Sequence, residues 1–186
     1  FPVLFGLWSL YHVRSEHQTA RELGEQLLNL ARKAQDLALR VEAHMALGAT
    51  LYCLGEFVSA REHAEQGIAL YDIDQHRTLA FLYGGTDPGM AGLTQAAWTL
   101  WMLGYPDQAL RRNNEALSLG RELSYPHSLA FALNFAAELH QFRRESRAVY
   151  DQAEAAITTS AEEGFPYWLA WGTILRGWAL ADQGLG

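Results

Sequence analysis

Few side chains in this 186-residue sequence are spaced for catalysis. The seven histidines are scattered, and no two of them lie four residues apart around a glutamate, the spacing that binds zinc on a helix in one class of hydrolases. The pair Gly84-Gly85 is not followed by the lysine and hydroxyl residue that a phosphate-binding loop requires. The sequence therefore predicts no catalytic centre, no enzyme activity and no bound cofactor.

The remaining candidates for metal or thiol chemistry are weak. Asp72, Asp74 and His76 are competent ligands, but three such residues at a helix exit are typical of a solvated turn, so we predict no metal site. Cys53 is the single cysteine, which excludes an internal disulfide. A lone cysteine on an apolar helix usually packs in the core, and we expect the same of Cys53.

Charge and hydropathy exclude two classes of partner. The net charge is −7, and no stretch concentrates Lys or Arg on the scale that a phosphate backbone requires. The small basic cluster Arg143, Arg144 and Arg147 is interpreted as a solvated turn balanced by Glu138 and Glu145. No run approaches the roughly twenty uncharged apolar residues that span a bilayer. We therefore predict neither a nucleic-acid nor a membrane partner.

The composition predicts an all-α protein, because Ala and Leu make up 57 of the 186 residues and only five are Pro. A pattern of apolar and small residues recurs along the chain, with a small residue opening every second helix at Ala20, Ala60, Ala109 and Ala148. The separations are 40, 49 and 39 residues, and we place the turn of the fourth repeat at Arg143, followed by Gly184. Such a repeat predicts stacked helix pairs.

Helix limits follow from the same frame. First-position helices are expected near 3–15, 38–54, 89–103, 127–142 and 167–183, and second-position helices near 18–35, 57–71, 106–123 and 146–163. Four of these starts coincide with proline, which suits an early helical position: Pro88, Pro106, Pro126 and Pro166. Asp87 and Ser124 are predicted to cap two of these helices.

The second repeat resembles the tetratricopeptide repeat most closely, at Leu47, Gly48, Leu51, Gly55, Phe57, Ala60 and Ile68. The resemblance implies a single domain over residues 1–186, a right-handed superhelix of antiparallel helix pairs. Its repeats span about 1–36, 37–72, 86–124, 125–164 and a partial 165–186, about four and a half units of ~40 residues. Three features depart from the family pattern: Trp8 and Arg143 replace glycines, and no proline closes a second helix.

Other segments of the sequence carry a second resemblance, for example GEFVSAREHAEQGIALYD and FPYWLAWGTILRGWALADQG. They are similar to the MalT-like and LuxR-associated helical arms of large bacterial signalling proteins. These proteins carry an ATPase module, often with a nucleotide cyclase or kinase domain. The resemblance implies a cytoplasmic regulatory arm and a chain that is one piece of a longer protein.

In the tetratricopeptide frame, the first-position helices line a concave groove. Carried over by position, the groove residues expected here are Phe5, His12, Met45, Tyr52, Trp98, Trp101, Leu133, His140, Trp171 and Trp178. The frame gives His12 and His140 equivalent positions. The basic residues that clamp carboxylates in peptide-binding repeats are missing, so the expected partner is an apolar protein segment or a neighbouring domain of the same polypeptide. The alternative is a small-molecule or peptide effector, and the tryptophans Trp98 and Trp101 fit either groove or core.

Two regions stand apart from the repeats. Residues 71–90 form an insertion whose apolar middle, 78–83, is expected to dock on the solenoid, either as a packed loop or as a lid over the groove. At the other end, the apolar last helix is expected to support self-association.

Overall fold

The computed structural model describes residues 1–83 and 85–184. Gly84, which belongs to the predicted turn, lies outside the described residues, as do Leu185 and Gly186. Within these ranges every regular element is a helix and no strand occurs. The prediction of an all-α fold is confirmed.

Nine long helices and two single-turn helices make up the described chain. The first-position helices are α1 (Pro2–Val13), α3 (Leu37–Cys53), α7 (Pro88–Met102), α9 (Pro126–Phe142) and α11 (Pro166–Asp182). The second-position helices are α2 (His17–Ala34), α4 (Phe57–Leu70), α8 (Pro106–Leu123) and α10 (Ser146–Glu163). The short helices α5 (Ile73–His76) and α6 (Leu79–Leu82) lie in the insertion. Each long helix begins and ends within two residues of its predicted limits.

Helix starts follow the predicted chemistry in most places. Proline is the first residue of α7, α8, α9 and α11, where its missing N–H costs no helical hydrogen bond. Asp87 caps α7, since its carboxylate accepts a hydrogen bond from the Met90 backbone N–H at 2.9 Å. The predicted cap at Ser124 is wrong. Ser124 adopts φ +54° after α8, and Tyr125 is the N-cap of α9.

One turn joins the two helices of each repeat. It is a Schellman turn, in which a residue with positive φ follows the first helix. The positive-φ residues are Ser15, Gly55, Gly104, Arg144 and Gly184, spaced by 40, 49, 40 and 40 residues. In each of the first four, the N–H of the positive-φ residue bonds to the carbonyl three residues back, and the next N–H bonds to the carbonyl five residues back. The turn therefore gives every repeat a common backbone register.

The predicted register of the fourth repeat is one residue early. Arg144, with φ +59°, holds the turn position that was assigned to Arg143. The residue five places later is Val149, which is fully buried, whereas Ala148 is half-buried. Its counterparts Ala20, Ala60 and Ala109 are buried as well. A search for small residues missed this position because the fourth repeat fills it with valine.

The chain contains two compact units, Phe1–Arg112 and Asn113–Gly186. In the first unit, called unit 1, α2 packs between α1 and α3, and α7 packs against α3 and α4. In the second, unit 2, α9, α10 and α11 pack against one another. The cores combine alanine at close helix contacts with larger side chains such as Leu27 and Trp8 in unit 1, and Leu139 and Leu175 in unit 2.

The insertion packs on unit 1 through a few side chains. Helix α4 ends at Leu70, because Tyr71 leaves the helical region with φ −72° and ψ 134°. Leu79 is buried in the unit, and the Tyr83 ring lies 5.1 Å from the Phe5 ring. Phe81, between them, is 71% exposed. The apolar middle of the insertion is thus divided between docked and exposed residues.

Candidate functional site

The common turn register defines comparable positions in every first-position helix. We call the residues six and three places before the positive-φ residue the inner positions. In unit 1 they are Ser9 and His12, Ala49 and Tyr52, and Trp98 and Trp101; in unit 2 they are Glu138 and Gln141, and Trp178 and Ala181. All are half-buried except Ala181, which is exposed. Within each unit, partial exposure at these positions is the pattern of side chains that line a surface.

Unit 1 brings three of the predicted groove aromatics onto adjacent helices. The Tyr52 ring on α3 lies 5.6 Å from the Trp98 ring on α7, and the Phe57 ring lies 5.5 Å from the Tyr52 ring. Trp101 follows Trp98 on the same helix, and both are half-buried. Tilted aromatic pairs at this separation are favourable and rigid, so they present a preformed apolar surface.

The other predicted residues of unit 1 are placed differently. Phe5 is 6% exposed and packs against Trp8, with ring centroids 5.0 Å apart, so it belongs to the core. Met45 is half-buried against the same core. His12 is half-buried at the end of α1, and its ring stacks on Trp8 with centroids 5.2 Å apart.

In unit 2 the corrected register replaces two of the predicted groove residues. Leu133 is 4% exposed and lies in the core, and Asn134, which takes its place in the corrected register, is buried as well. His140 likewise lies one place before Gln141, which is the true counterpart of His12. The two histidines are therefore not equivalent. The inner positions of α9 are polar and hold Glu138 and Gln141.

His140 takes part in an ion-pair network at the turn after α9. Its Nδ1 lies 2.6 Å from Glu145 Oε2, and the Arg143 side chain bonds to the other carboxylate oxygen at 2.9 Å. The hydrogen bond from Arg143 is the main reason that the pKa of Glu145 lies below its usual range, and His140 adds to the effect. The predicted charge balance between Arg143 and Glu145 is thus present. Glu138 instead accepts a hydrogen bond from the Trp171 side chain.

Trp171 and Trp178 lie on α11 among other rings. Trp171 is half-buried, with its ring 5.0 Å from Phe135 and 5.8 Å from Trp168. Trp178 is half-buried, and the Arg144 guanidinium lies 6.0 Å from its ring centroid, a cation–π distance.

Glu138 is the residue of this surface that the sequence did not single out as a site. Burial raises the pKa of the Glu138 carboxyl to about 7, although a hydrogen bond from the Trp171 side chain acts in the opposite direction. Its Oε2 is buried and makes no hydrogen bond within the described residues. At neutral pH this carboxyl is therefore close to half-protonated, so it both donates and accepts hydrogen bonds.

The weak chemical candidates have structural explanations. The Asp72 carboxylate accepts hydrogen bonds from the backbone N–H groups of Asp74 and Gln75, so it caps α5. His76 is buried, and its Nδ1 accepts the Asp72 backbone N–H at 2.9 Å. The prediction for Cys53 is wrong. The residue is the last of α3 and is exposed, because the helix ends there beside the turn.

The comparisons with known proteins identify the class of fold. The chain is similar to two crystal structures of tetratricopeptide-like repeats from a Podosopora anserina protein assigned as a kinesin light chain. One, a single-residue variant, has a TM-score of 0.67 at 15% identity and covers 98% of this chain and 85% of that one. The other has a TM-score of 0.62 at 16% identity and covers 100% of this chain and 92% of that one. The fold is tetratricopeptide-like, as the sequence predicted.

No family model matches the sequence. One curated relative, an uncharacterized protein of Rhizobium meliloti (strain 1021), is 24% identical over 185 residues. The alignment covers 98% of this chain, which spans only 18% of that protein's length. No helix within the described residues combines the length and apolarity that a bilayer crossing requires.

Proposed function

We propose that this chain is a non-catalytic protein-interaction domain that binds a protein segment, or a neighbouring domain of its own polypeptide, through the inner positions of its first-position helices. Repeats of this fold are generally interaction scaffolds, since stacked helix pairs present extended surfaces. The observation that carries the proposal is the half-burial of the inner positions from repeat to repeat, as expected of side chains that line a surface.

In unit 1 the proposed contact surface is the aromatic group Tyr52, Trp98 and Trp101. Tyrosine and tryptophan are the residues most often found at binding hot spots, because each supplies a large contact area with few rotatable bonds. The contact between Tyr52 and Trp98 limits ring motion before binding, which lowers the entropic cost of ordering them. An apolar segment that covers these rings is the partner that fits.

In unit 2 the proposed contact is Glu138 beside Trp171. A carboxyl held in apolar surroundings favours a partner group that donates a hydrogen bond or carries positive charge. Binding of a Lys or Arg side chain there lowers the pKa of Glu138, so the complex forms with release of a proton near pH 7. A partner segment that binds at unit 2 is therefore expected to carry a basic side chain.

We also propose a setting for this domain from its resemblance to MalT-like and LuxR-associated arms and from its alignment with the Rhizobium meliloti protein. The resemblance implies a regulatory arm of a bacterial, cytoplasmic signalling protein with an ATPase or cyclase module, and the chain aligns to 18% of a much longer bacterial protein. We propose that the bound segment belongs to such a module and that differential binding of the module's two states sets the module's activity.

Self-association is proposed through α11, where Tyr167 is 65% and Ile174 71% exposed.

Affinity capture tests the proposal, using lysate that contains the other domains of the parent protein. The wild-type chain is compared with Tyr52→Ala/Trp101→Ala and with Phe81→Ala, which removes an aromatic ring that is 71% exposed in the insertion. We expect a partner domain that the wild type and Phe81→Ala retain and that the double variant loses, while circular dichroism shows equal helicity in all three.

Three outcomes would contradict this proposal. Equal retention by the double variant would exclude the aromatic surface as the binding site. Loss of the partner only in Phe81→Ala would assign binding to the insertion. If the wild type retains no protein under any condition, the interaction role fails, and the small-molecule effector becomes the hypothesis to test.

A further inference from the structure

Three metal-binding side chains converge at the edge of unit 1. One ring nitrogen of His12, one of His17 and the Cys53 Sγ all lie within 4.8 Å of one another. In a tetrahedral zinc site, with Zn–N near 2.0–2.1 Å and Zn–S near 2.3 Å, neighbouring ligand atoms are about 3.3–3.6 Å apart. Movements on the order of 1 Å, within the range of side-chain rotation, bring these three atoms to that geometry. We propose that His12, His17 and Cys53 bind a zinc-like divalent transition-metal ion.

The backbone turn places the two histidines side by side. His12 is three residues before Ser15, the positive-φ residue of the first turn, and His17 is two residues after it. The hydrogen bond from the Ser15 N–H to the His12 carbonyl closes this turn, and the two imidazole rings lie 5.4 Å apart. The same two positions in the second repeat hold Tyr52 and Phe57, whose rings are 5.5 Å apart. The contact is thus a property of the turn.

Cys53 reaches the histidines from the following repeat. It is the last residue of α3, and α3 packs against α2, the helix that His17 opens. An ion pair between Arg21 on α2 and Glu56 in the turn after α3, with Nη1 and Oε1 2.8 Å apart, holds the two repeats together near the cluster. Tertiary packing therefore fixes the third ligand, which explains why sequence spacing did not reveal it.

The histidines have unused hydrogen-bonding capacity. The Nδ1 atoms of His12 and His17 are buried and have no hydrogen-bond partner within the described part of the chain. A buried polar atom that lacks a hydrogen-bond partner is energetically unfavourable. The His12 ring is also held in position, because it stacks on Trp8, whose indole N–H donates to Thr50 Oγ1 at 2.9 Å. A positioned imidazole without competing partners is suited to coordination.

The protonation states are compatible with metal binding at neutral pH. Burial, followed by the charge of His17, lowers the pKa of His12, so that its neutral form prevails. Partial burial raises the pKa of the Cys53 thiol, so the thiolate forms only when the metal arrives. Binding then breaks the S–H bond, forms a sulfur–metal bond and releases one proton to solvent. The exposed position of Cys53 leaves room for water as a fourth ligand.

The ligand set selects the class of metal. Two imidazoles and one thiolate suit a borderline ion such as zinc, whereas calcium and magnesium require oxygen ligands, and the cluster contains no carboxylate. The site shares one residue, His12, with the inner positions, whereas Tyr52, Trp98 and Trp101 do not belong to it.

Cobalt(II) is the appropriate probe, because it replaces zinc in such sites and gives visible and thiolate charge-transfer absorption. Titration of the reduced full chain with Co²⁺ at neutral pH is expected to show a thiolate band that saturates at one ion per chain and disappears when Zn²⁺ is added. Cys53 is the single cysteine, so the band reports on this residue alone. Cys53→Ser should abolish it, and His12→Gln or His17→Gln should weaken binding by at least about tenfold.

His63→Gln is the matched control. It removes a histidine from the other imidazole pair of unit 1, where His44 Nδ1 and His63 Nδ1 lie 3.0 Å apart, and it should leave the cobalt titration unchanged. Absence of the thiolate band at millimolar Co²⁺ in the folded wild-type chain would overturn the proposal. The proposal would also be overturned if His12→Gln and His17→Gln each bound Co²⁺ as tightly as the wild type, because the metal would then be bound by the thiol alone.

Discussion

Replacement of Glu138 by glutamine tests whether a half-buried carboxyl governs the stability of unit 2 near neutral pH. Burial raises the pKa of Glu138 from an ordinary value of 4.5 to about 7. Between these values Glu138 binds more protons in the folded state than in the unfolded state, so its contribution to the free energy of unfolding falls as the pH rises from 4.5 to 7 and is constant above that. The full shift corresponds to at most about 3 kcal/mol, and partial solvent exposure reduces the expected effect to about 1–3 kcal/mol.

Glutamine is neutral at every pH and retains a carbonyl oxygen that accepts the hydrogen bond from Trp171. The stability of Glu138→Gln relative to the wild type should therefore increase by about 1–3 kcal/mol between pH 5 and pH 8. Urea unfolding followed by circular dichroism at both pH values measures the difference, and contributions from all other groups cancel in the comparison.

Glu163→Gln, which alters an exposed carboxyl at the end of α10, is the control and should show no such increase. The reasoning would be refuted if the stability difference between Glu138→Gln and the wild type were the same at pH 5 and pH 8. It would also be refuted if Glu138→Gln were less stable than the wild type at pH 8 and its stability relative to the wild type had not increased between pH 5 and pH 8.

Three further predictions concern packing, titration and backbone strain. Gly89→Ala should destabilise the chain by about 1–3 kcal/mol in urea unfolding, because the new Cβ would lie 2.5 Å from the Tyr71 ring. By contrast, the Cβ of Gly6→Ala would meet no atom within 4 Å, so this variant should be more stable than the wild type by about 0.5–1 kcal/mol. The imidazole of His44, whose pKa burial lowers to about 4, should titrate near pH 4 by NMR, and a midpoint above 6 would contradict its burial. Because the folded state favours neutral His44, the contribution of His44 to the free energy of unfolding should fall as the pH drops from about 6.5 to 4. Ser15→Gly relieves a φ of +61° and should raise the free energy of unfolding by about 0.5–1 kcal/mol, and a decrease would contradict the assignment of strain.

The fold was predictable because its main signals are local. Proline is the first residue of five of the described helices, and small residues recur where helices of a pair approach. The prediction lost register in the fourth repeat, where Arg144 adopts the positive φ that glycine adopts in the second and third turns. Arginine carries no sequence signal for this conformation. Only the turn hydrogen bonds, such as that from the Arg144 N–H to the Gln141 carbonyl, reveal the position.

The candidate surface was predictable in part. Tyr52, Trp98 and Trp101 belong to repeats with a glycine at the turn, and the structure leaves all three half-buried at the expected positions. The single-residue error in the fourth repeat missed Glu138, because the residue one place before it is the buried Ala137, whereas Leu133 and its corrected counterpart Asn134 are both buried. An error of one residue rotates a helix by about 100°, which is enough to exchange a core side chain for a surface one.

The turn between paired helices explains why chemically distinct residues occur at equivalent places. Its two hydrogen bonds are made by the backbone, so they bring the residues on either side together whatever their side chains are. The result is a pair of imidazoles at His12 and His17 and a pair of aromatic rings at Tyr52 and Phe57, at nearly the same separation. Substitution at these positions leaves the capping bonds intact, whereas substitution in the alanine-rich core disturbs close helix contacts. Divergence in such a chain is therefore expected at the turns and inner positions, and these are the places where we propose that its binding chemistry lies.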